Sequence, residues 1–430
     1  MRGKLQAALL AGLAAVAIAA CGSSSSSTSA GGGGGATNAA ASTGSATKSP
    51  ILIGQVVSGA GSPVFSEPQD VSAVSARIRA INAAGGLDGH PLKLDYCNDK
   101  NDPNTTISCA QKMISDHVVM LDGGGDLTGA QLVTIMNKAG IPEVGFDAYT
   151  GAELNSPNMF LLTSTAPGYV VAMGYLAAHH YKVSMIGADN ATALQLYAGL
   201  GAATASLKNP WISKTLVPTT VPDLSPYVQS AVKGNPTAVQ SFLGIPADYQ
   251  AMVGVEKSAP GTKWVSAAAN VSSAAAATAN GTAAVMQDAI TFGNLLPLQD
   301  TSNPLISQFW SELASYQKAT GDHYAAPSQQ SFGTFSAWLG LWVVQQLVKN
   351  GQLSADNMSN ATVMKAFQTA KNINMEGVTP PWTPNAPGPT GETRISDQYY
   401  YLWTYANGGA TVKLLTPHAV NAVEALEGKF

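Results

Sequence analysis

Charge is scarce in this 430-residue chain, where Asp, Glu, Lys and Arg make up 11%, with 22 basic against 26 acidic residues. No cluster of Lys or Arg could follow a phosphate backbone, so nucleic acid is not expected as a partner. There are only three cysteines, too few for a disulfide-stapled scaffold or a zinc ribbon. The six histidines are scattered: His90 lies in a turn, and His179-His180 end a helix, where a cationic side chain suits the helix dipole. Also missing are the Gly-x-Ser-x-Gly elbow, His-Glu-x-x-His, the Gly-x-x-x-x-Gly-Lys loop and any nucleotide fingerprint after the first strand. The expectation is therefore a protein that is not an enzyme and needs no cofactor and no metal. Beyond the N-terminus no apolar run is long enough to cross a bilayer. The nearest, over 336–348, contains Gln345 and Gln346 and reads as a core helix.

The N-terminus differs from the rest. Arg2 and Lys4 precede an apolar, Ala-rich stretch over 5–20 that stops at Cys21, the layout of a secretory signal. Ile18-Ala19-Ala20-Cys21 resembles a lipobox, which implies cleavage before Cys21 and its acylation, so that lipid chains anchor the mature protein on the outer face of the membrane. Without Arg2 and Lys4 the mature chain carries a net charge near −6. Residues 21–49 are Gly, Ser, Ala and Thr almost throughout, too poor in apolar side chains to offset the entropy of folding. They are expected to form a flexible tether.

The body from Pro50 is too long for one compact core and implies two domains. Residues 51–57 are a short apolar run suited to a buried strand, and 69–84 place Val71, Val74, Ile78 and Ile81 at helical spacing before Gly85-Gly86. The alternation continues with strands over 91–96, 118–122 and 141–146 and helices over 106–116 and 128–139. A second series follows residues 160–165: helices over 168–180, 195–207, 224–233 and 247–258, strands over 182–187, 211–217, 238–244 and 263–266. The fold class expected is α/β, with two doubly wound parallel-sheet lobes. Cys97 and Cys109 flank a polar loop and, in an exported chain, are expected to pair as a disulfide.

Ile51-Leu-Ile-Gly-Gln-Val-Val-Ser-Gly, then Ile81-Asn-Ala-Ala-Gly-Gly-Leu-Asp-Gly-His-Pro-Leu, then Cys97-Asn-Asp-Lys-Asn-Asp-Pro-Asn, Ala139-Gly-Ile-Pro and the late strand over 398–405 with Asn407-Gly-Gly resemble the leucine/isoleucine/valine-binding family of ABC-transporter receptors. These are type I periplasmic binding proteins. The resemblance runs from about residue 50 to about residue 416. It implies a hinge of three segments, near 162–165, 291–296 and 372–379, with the helices over 303–320 and 329–349 returning to the first lobe. The domains expected are a signal peptide over 1–20, the tether over 21–49, a first lobe of 50–164 with 296–375, and a second of 165–295 with 376–430. The implied partners are a small-molecule solute and a membrane permease, with the protein a monomer. A surface lipoprotein that senses its ligand and signals to a membrane partner is the alternative.

Parallel α/β sheets bind ligands beyond their strand ends. The loops there supply the candidate ligand-binding residues Phe65, Gly125, Asp126, Ala148, Tyr149, Thr150, Asn190, Ile245 and Asn270. In relatives that bind amino acids, hydroxyl and backbone N–H groups of the first lobe hold the carboxylate, and a second-lobe acid receives the ammonium. Matching loops places the first groups at Gly125, Ala148 and Thr150. Asp126 would set a negative charge beside a solute carboxylate, and 267–272, Ala-Ala-Ala-Asn-Val-Ser, holds no acid. The cleft therefore suits a neutral, apolar or amide-bearing solute better than an α-amino acid. Plainer roles compete: Asp126 and Thr150 as helix caps, Phe65 as packing, Tyr149, Asn190 and Asn270 as ordinary loop residues, and the aromatic run over 399–405 as sheet packing.

Overall fold

The computed structural model describes residues 46–60, 66–125, 128–148, 150–163, 165–218, 221, 223–245, 247–272, 276, 281–386 and 399–430. Cys21 with the signal and nearly all of the tether, Phe65, Asp126 and Tyr149 lie outside the described residues. Among the described residues no helix is long and apolar enough to cross a membrane, and no cluster of His, Cys, Asp or Glu could hold a metal ion.

The first sheet is built from β1 (Ile51–Val57), β2 (Leu92–Asn98), β3 (Leu121–Gly124), β4 (Glu143–Phe146) and β5 (Met159–Phe160) in the order β2-β1-β3-β4-β5. Every pairing in it is parallel. The first three strands are each followed by a helix that covers a face of the sheet: α1 (Pro68–Ala83), α2 (Pro103–Ser115) and α3 (Gly129–Ala139). The apolar stripe read from the sequence is the buried one, with Val74, Ile78 and Ile81 of α1 in the core. The helix stops where Gly85 and Gly86 take φ of 100° and 80°. At Gly86 a Cβ would stand 2.3 Å from the His90 carbonyl, so only glycine fits that turn.

After α4 (Gly151–Leu154) and β5 the chain passes to the second sheet. There α5 (Ala166–Ala178), β6 (Val183–Asp189), α6 (Ala191–Ser206), β7 (Lys214–Pro218), α7 (Ser225–Val232), β8 (Ala238–Phe242), α8 (Ala247–Ser258), β9 (Lys263–Ala267) and β10 (Ile290–Gly293) follow. The chain then returns. Helices α9 (Pro304–Thr320) and α10 (Phe332–Lys349) pack on α1, α10 also covers β3 and β4, and α11 (Asn360–Thr369) stacks Phe367 on Phe160 of β5 with ring centres 5.0 Å apart. Its last passage brings β11 (Tyr399–Ala406), β12 (Thr411–Leu414), β13 (Val420–Asn421) and α12 (Ala422–Leu426) to the second sheet. The order there is β12-β11-β10-β9-β8-β6-β7, with β13 on β11.

The second sheet departs from the purely parallel expectation: β6 to β10 are parallel, but β11 runs antiparallel to β10 and β12 antiparallel to β11. The cause is local. Asn407, Gly408 and Gly409 all take positive φ, the conformation of a tight hairpin turn, and a hairpin can only join antiparallel strands. The aromatic run 399–405 is β11 itself, and Tyr400, Tyr401, Trp403 and Tyr405 are all buried.

The seat of α10 carries the first lobe. Arg77 of α1 donates to Glu312 of α9 and to Gln345 of α10, each at 2.6 Å, and lies 4.8 Å over the Trp338 ring. Trp338 donates to the same carboxylate at 2.8 Å. Missing side chains let α10 approach: a Cβ on Gly123 would stand 2.4 Å from Ala337, and one on Gly340 would stand 2.0 Å from the Asp122 carboxyl.

Cys97 of β2 and Cys109 of α2 are joined, their Cα atoms 5.6 Å apart and 12 residues apart in sequence. A loop of that length is stabilised by about 3 kcal/mol in the chain-entropy view. Replacing both cysteines by alanine is expected to lower the unfolding free energy by about that amount in urea melts. A loss of less than about 1 kcal/mol would show that the bridge does not constrain the unfolded chain.

Candidate functional site

Both sheets have their parallel strands ending toward the same gap. In the first lobe the order 2-1-3-4-5 reverses between β1 and β3, and in the second the order 7-6-8-9-10 reverses between β6 and β8, so each has the crevice where such sheets bind ligands. Between them lies a narrow cleft lined by residues of both lobes.

The first lobe gives this cleft Asp147, the residue after β4, and Phe332, which opens α10. Asp147 is held by its backbone, which donates to Gly124 at 3.0 Å and bridges to Thr163. Its carboxylate accepts from the Thr163 hydroxyl at 3.4 Å. Phe332 is placed by the capping box of Ser331 and Thr334, which starts α10 at the cleft. The passages between lobes contribute Thr163 and Thr165 on one side and Phe292, Gly293 and Asn294 on another. From the second lobe come Ala267, Ala268 and Ala269 after β9. The first-lobe wall thus sets one acid beside an aromatic ring, and the second-lobe wall is small and apolar. Among the described lining residues none is basic.

Behind Asp147 stands a second acid. Asp70, in the first turn of α1, is 1% exposed. Burial pushes its carboxyl up to about 7, opposed by the Thr334 hydroxyl and reinforced by the negative charge of Asp147. In the second lobe burial likewise pushes Asp248 up to about 7 against hydrogen bonds from Ser241, Trp264 and Ser266.

The described candidate residues read from the sequence lie near the cleft but are not among its described lining residues. Ala148 and Asn270 directly follow the lining residues Asp147 and Ala269. Gly125 is buried beyond β3. Thr150 caps α4, its hydroxyl accepting from the Glu153 amide at 3.4 Å while Glu153 accepts from the Thr150 amide. Asn190 is exposed and caps α6 through the Ala193 amide, and Ile245 is 38% exposed at the end of β8. Asn270 donates to the Leu243 carbonyl at 2.8 Å and tethers its loop to β8. Sequence reasoning missed Asp147, Phe292, Asn294 and Phe332 as cleft residues. Part of the signal was available: two of these four, Phe292 and Asn294, sit in a segment expected to connect the lobes.

Residues 50–409 match the model of the periplasmic binding protein family. Solved structures share the fold at low identity. A substrate-binding periplasmic protein from Ralstonia solanacearum is 12% identical with a TM-score of 0.68, covering 85% of this chain and 99% of its own. The branched-chain amino acid transporter substrate binding protein LivJ from Streptococcus pneumoniae, solved with isoleucine, is 16% identical with a TM-score of 0.64 over 86% of this chain and 99% of that one. A solute binding protein of an ABC transporter from Rhodopseudomonas palustris BisB5, solved with 3,4-dihydroxy benzoic acid, is 17% identical with a TM-score of 0.65 over 87% and 98%. Among curated proteins no sequence matches significantly.

The two raised carboxyls fix a pH dependence. Their folded values lie near 7 and their ordinary value is 3.8, so between these limits the folded state holds more protons than the unfolded state. The stability they confer is complete below pH 3.8 and is lost as pH rises to about 7. Asp70→Asn is expected to exceed the parent in stability at pH 8 by on the order of 2 kcal/mol and to flatten the profile. Thermal unfolding from pH 4 to 8 checks this, and a variant profile as steep as the parent's would contradict it.

Proposed function

Because the chain belongs to the periplasmic binding protein family, solute-binding receptors and not enzymes, in the leucine/isoleucine/valine-binding group that its sequence resembles, we propose that it is the extracytoplasmic receptor of an ABC importer. It captures a small organic solute, an amino acid, amide or related compound, and delivers it to a membrane permease. The carrying observation is a cleft walled by both sheets and by the segments that join them. Two of these segments bond to each other, the Leu296 amide donating to the Val378 carbonyl at 2.8 Å, and Asn294 donates to the Tyr399 carbonyl at the start of β11 at 3.3 Å. Connections laid side by side near 162–165, 291–296 and 372–379 form a hinge in which a few backbone angles can absorb a rotation of one lobe on the other.

In this mechanism the first lobe, 50–164 with 296–375, binds the solute first through its polar wall. The second, 165–295 with 376–430, then closes its alanine wall over it. Solute stabilises the closed form because only there does it touch both walls, so its binding free energy selects that population. A lipid on Cys21 and the tether over 21–49 keep the monomeric receptor near its permease.

Two outcomes are expected. A solute at 100 times its dissociation constant raises the unfolding free energy by about 2.7 kcal/mol and reduces the radius of gyration in small-angle scattering. Stabilisation without compaction would sink the closure mechanism. Replacing Cys21 by serine is expected to move the protein from the membrane to the soluble extracytoplasmic fraction, and continued membrane association would exclude the lipid anchor.

A further inference from the structure

The base of the first lobe holds a cluster of side chains that the cleft does not use. Leu87 and His90 exchange two backbone hydrogen bonds, at 2.8 and 2.9 Å, across Asp88 and Gly89, whose φ are 47° and 88°. That is the tight turn an Asp-Gly pair favours, and it fixes His90 just ahead of β2. The start of the body lies against this turn: the Lys48 amide donates to the Gly89 carbonyl at 3.0 Å, and the Lys48 stem crosses over Gly89. Lys48 Nζ then reaches Asp356 at 2.6 Å, in the single turn Ala355–Asn357 between α10 and α11. Strands β1 and β2 begin immediately beyond. The cluster therefore sits at the opposite end of the strands from the cleft, about 20 Å away along β1.

The imidazole of His90, 8% exposed, faces two acceptors at once: Nδ1 stands 2.7 Å from the Ser49 carbonyl oxygen and Nε2 stands 3.0 Å from Oδ1 of Asp356. A neutral imidazole carries one N–H and one lone pair. Only the doubly protonated ring donates to both; with a single proton, a lone pair points at a carbonyl or at a carboxylate. The charged and titratable groups on the three segments that meet here are Lys48, the exposed Asp88, His90 and Asp356. The hydrogen bonds of His90 and Lys48 hold the Asp356 carboxyl below the usual carboxylate range. Lys48 and Asp356 are both exposed, and exposed ion pairs are individually weak. Such a contact opens and closes without unfolding the lobe.

We propose that His90, Asp356 and Lys48 form a pH-sensitive latch that clamps residues 48–49 to the base of the first lobe while the His90 ring holds both protons, and that loosens as the ring loses one. Closed, the latch fixes the direction in which the chain ahead of Pro50 leaves the body and keeps the Lys48 ammonium on Asp356, out of reach of a protease that reads lysine. Open, it frees the Lys48–Ser49 bond. Hydrolysis of that amide, leaving a carboxylate on Lys48 and an amine on Ser49, parts the body from everything that precedes it. Because the latch lies away from the cleft, it does not depend on the receptor reading or on any solute.

The test is digestion of the full chain with a lysine-specific protease from pH 5.5 to 8.5, with the product that begins at Ser49 counted by mass spectrometry. Each rate is divided by that of a free peptide of residues 44–53 at the same pH, which removes the protease's own pH dependence. The normalised rate is expected to rise at least about twofold across this range. At pH 5.5 Asp356→Asn is expected to be cut at least about twofold faster than the parent, and His90→Gln to lose the rise with pH. Deuterium exchange at the Lys48 amide, corrected for its intrinsic pH dependence, is expected to follow the same order, and circular dichroism verifies that each variant is folded. A parent rate that rises by less than this or falls, an Asp356→Asn rate closer to the parent's than this, or a His90→Gln profile that rises as the parent's does overturns the proposal.

Discussion

The first lobe depends on one contact made late in the chain: α10 must return from the second lobe and lie flat on β3 and β4. That seat is made by what is missing and by one buried charge. Gly123 and Gly340 leave the room that any side chain would fill, and Arg77, 2% exposed, gathers α1, α9 and α10 through Glu312, Gln345 and Trp338. A buried ion pair is poor evidence of net stability, because desolvation of both charges offsets most of their attraction. Its geometry matters more here. Burial lifts Glu312 while Arg77 opposes that lift, so the pair holds only when the three helices meet in one register. With α10 in that register, its N-terminus puts Phe332 at the cleft. The site thus inherits its precision from a contact made more than two helical turns away.

The same seat gathers an unusual set of buried acids. Asp122 is fully buried beneath α10, has no hydrogen-bond partner among the described residues, and burial holds it well above the ordinary carboxylate range, with Arg77 opposing. Asp70 and Asp147 continue the series toward the cleft. A chain with so little charge would be expected to keep it in water. Burial pushes Asp122 and Asp70 toward their protonated forms, so these acids act as buried polar groups more than as fixed negative charges, and the only described buried guanidinium of the lobe is already engaged with Glu312.

Most of the fold could be read from the residues because its elements repeat one pattern. Ile51–Val57 and Ala247–Ser258 coincide with the runs expected from periodicity, and the remaining long helices and strands differ mainly at their ends. What escaped were α11, the short α4, β5, β12, β13 and α12, and β10, read only as part of a connection. The site was less legible. Loop matching located the right turns, yet it picked residues whose side chains cap helices or tie loops, such as Thr150, Asn190 and Asn270. Side-chain direction at a strand end is set by which neighbour the backbone bonds, here the Gly124–Asp147–Thr163 ladder, and pairings across 16 residues of loop and helix leave no local mark. Asp147 stands immediately before a residue that was singled out, and alternation of side chains along an extended backbone makes that one step the difference between facing the cleft and facing away.

The two walls of the cleft also divide the work of recognition unequally. A polar, acidic wall discriminates strongly, since a group that leaves a buried carboxylate poorly matched forfeits far more than a missing methyl would. A wall of alanines discriminates by size and otherwise contributes in proportion to the apolar area it covers. If selectivity resides in the first lobe and cover in the second, the open form already distinguishes solutes, and closure adds affinity to whatever has been accepted. Such an order suits a hinge, because the lobe that moves carries no charge into the cleft from its 267–269 loop and so has no desolvation of its own to overcome there. Rotation then has to offset only the ordering of the connecting segments, two of which are already bonded to each other through Leu296 and Val378.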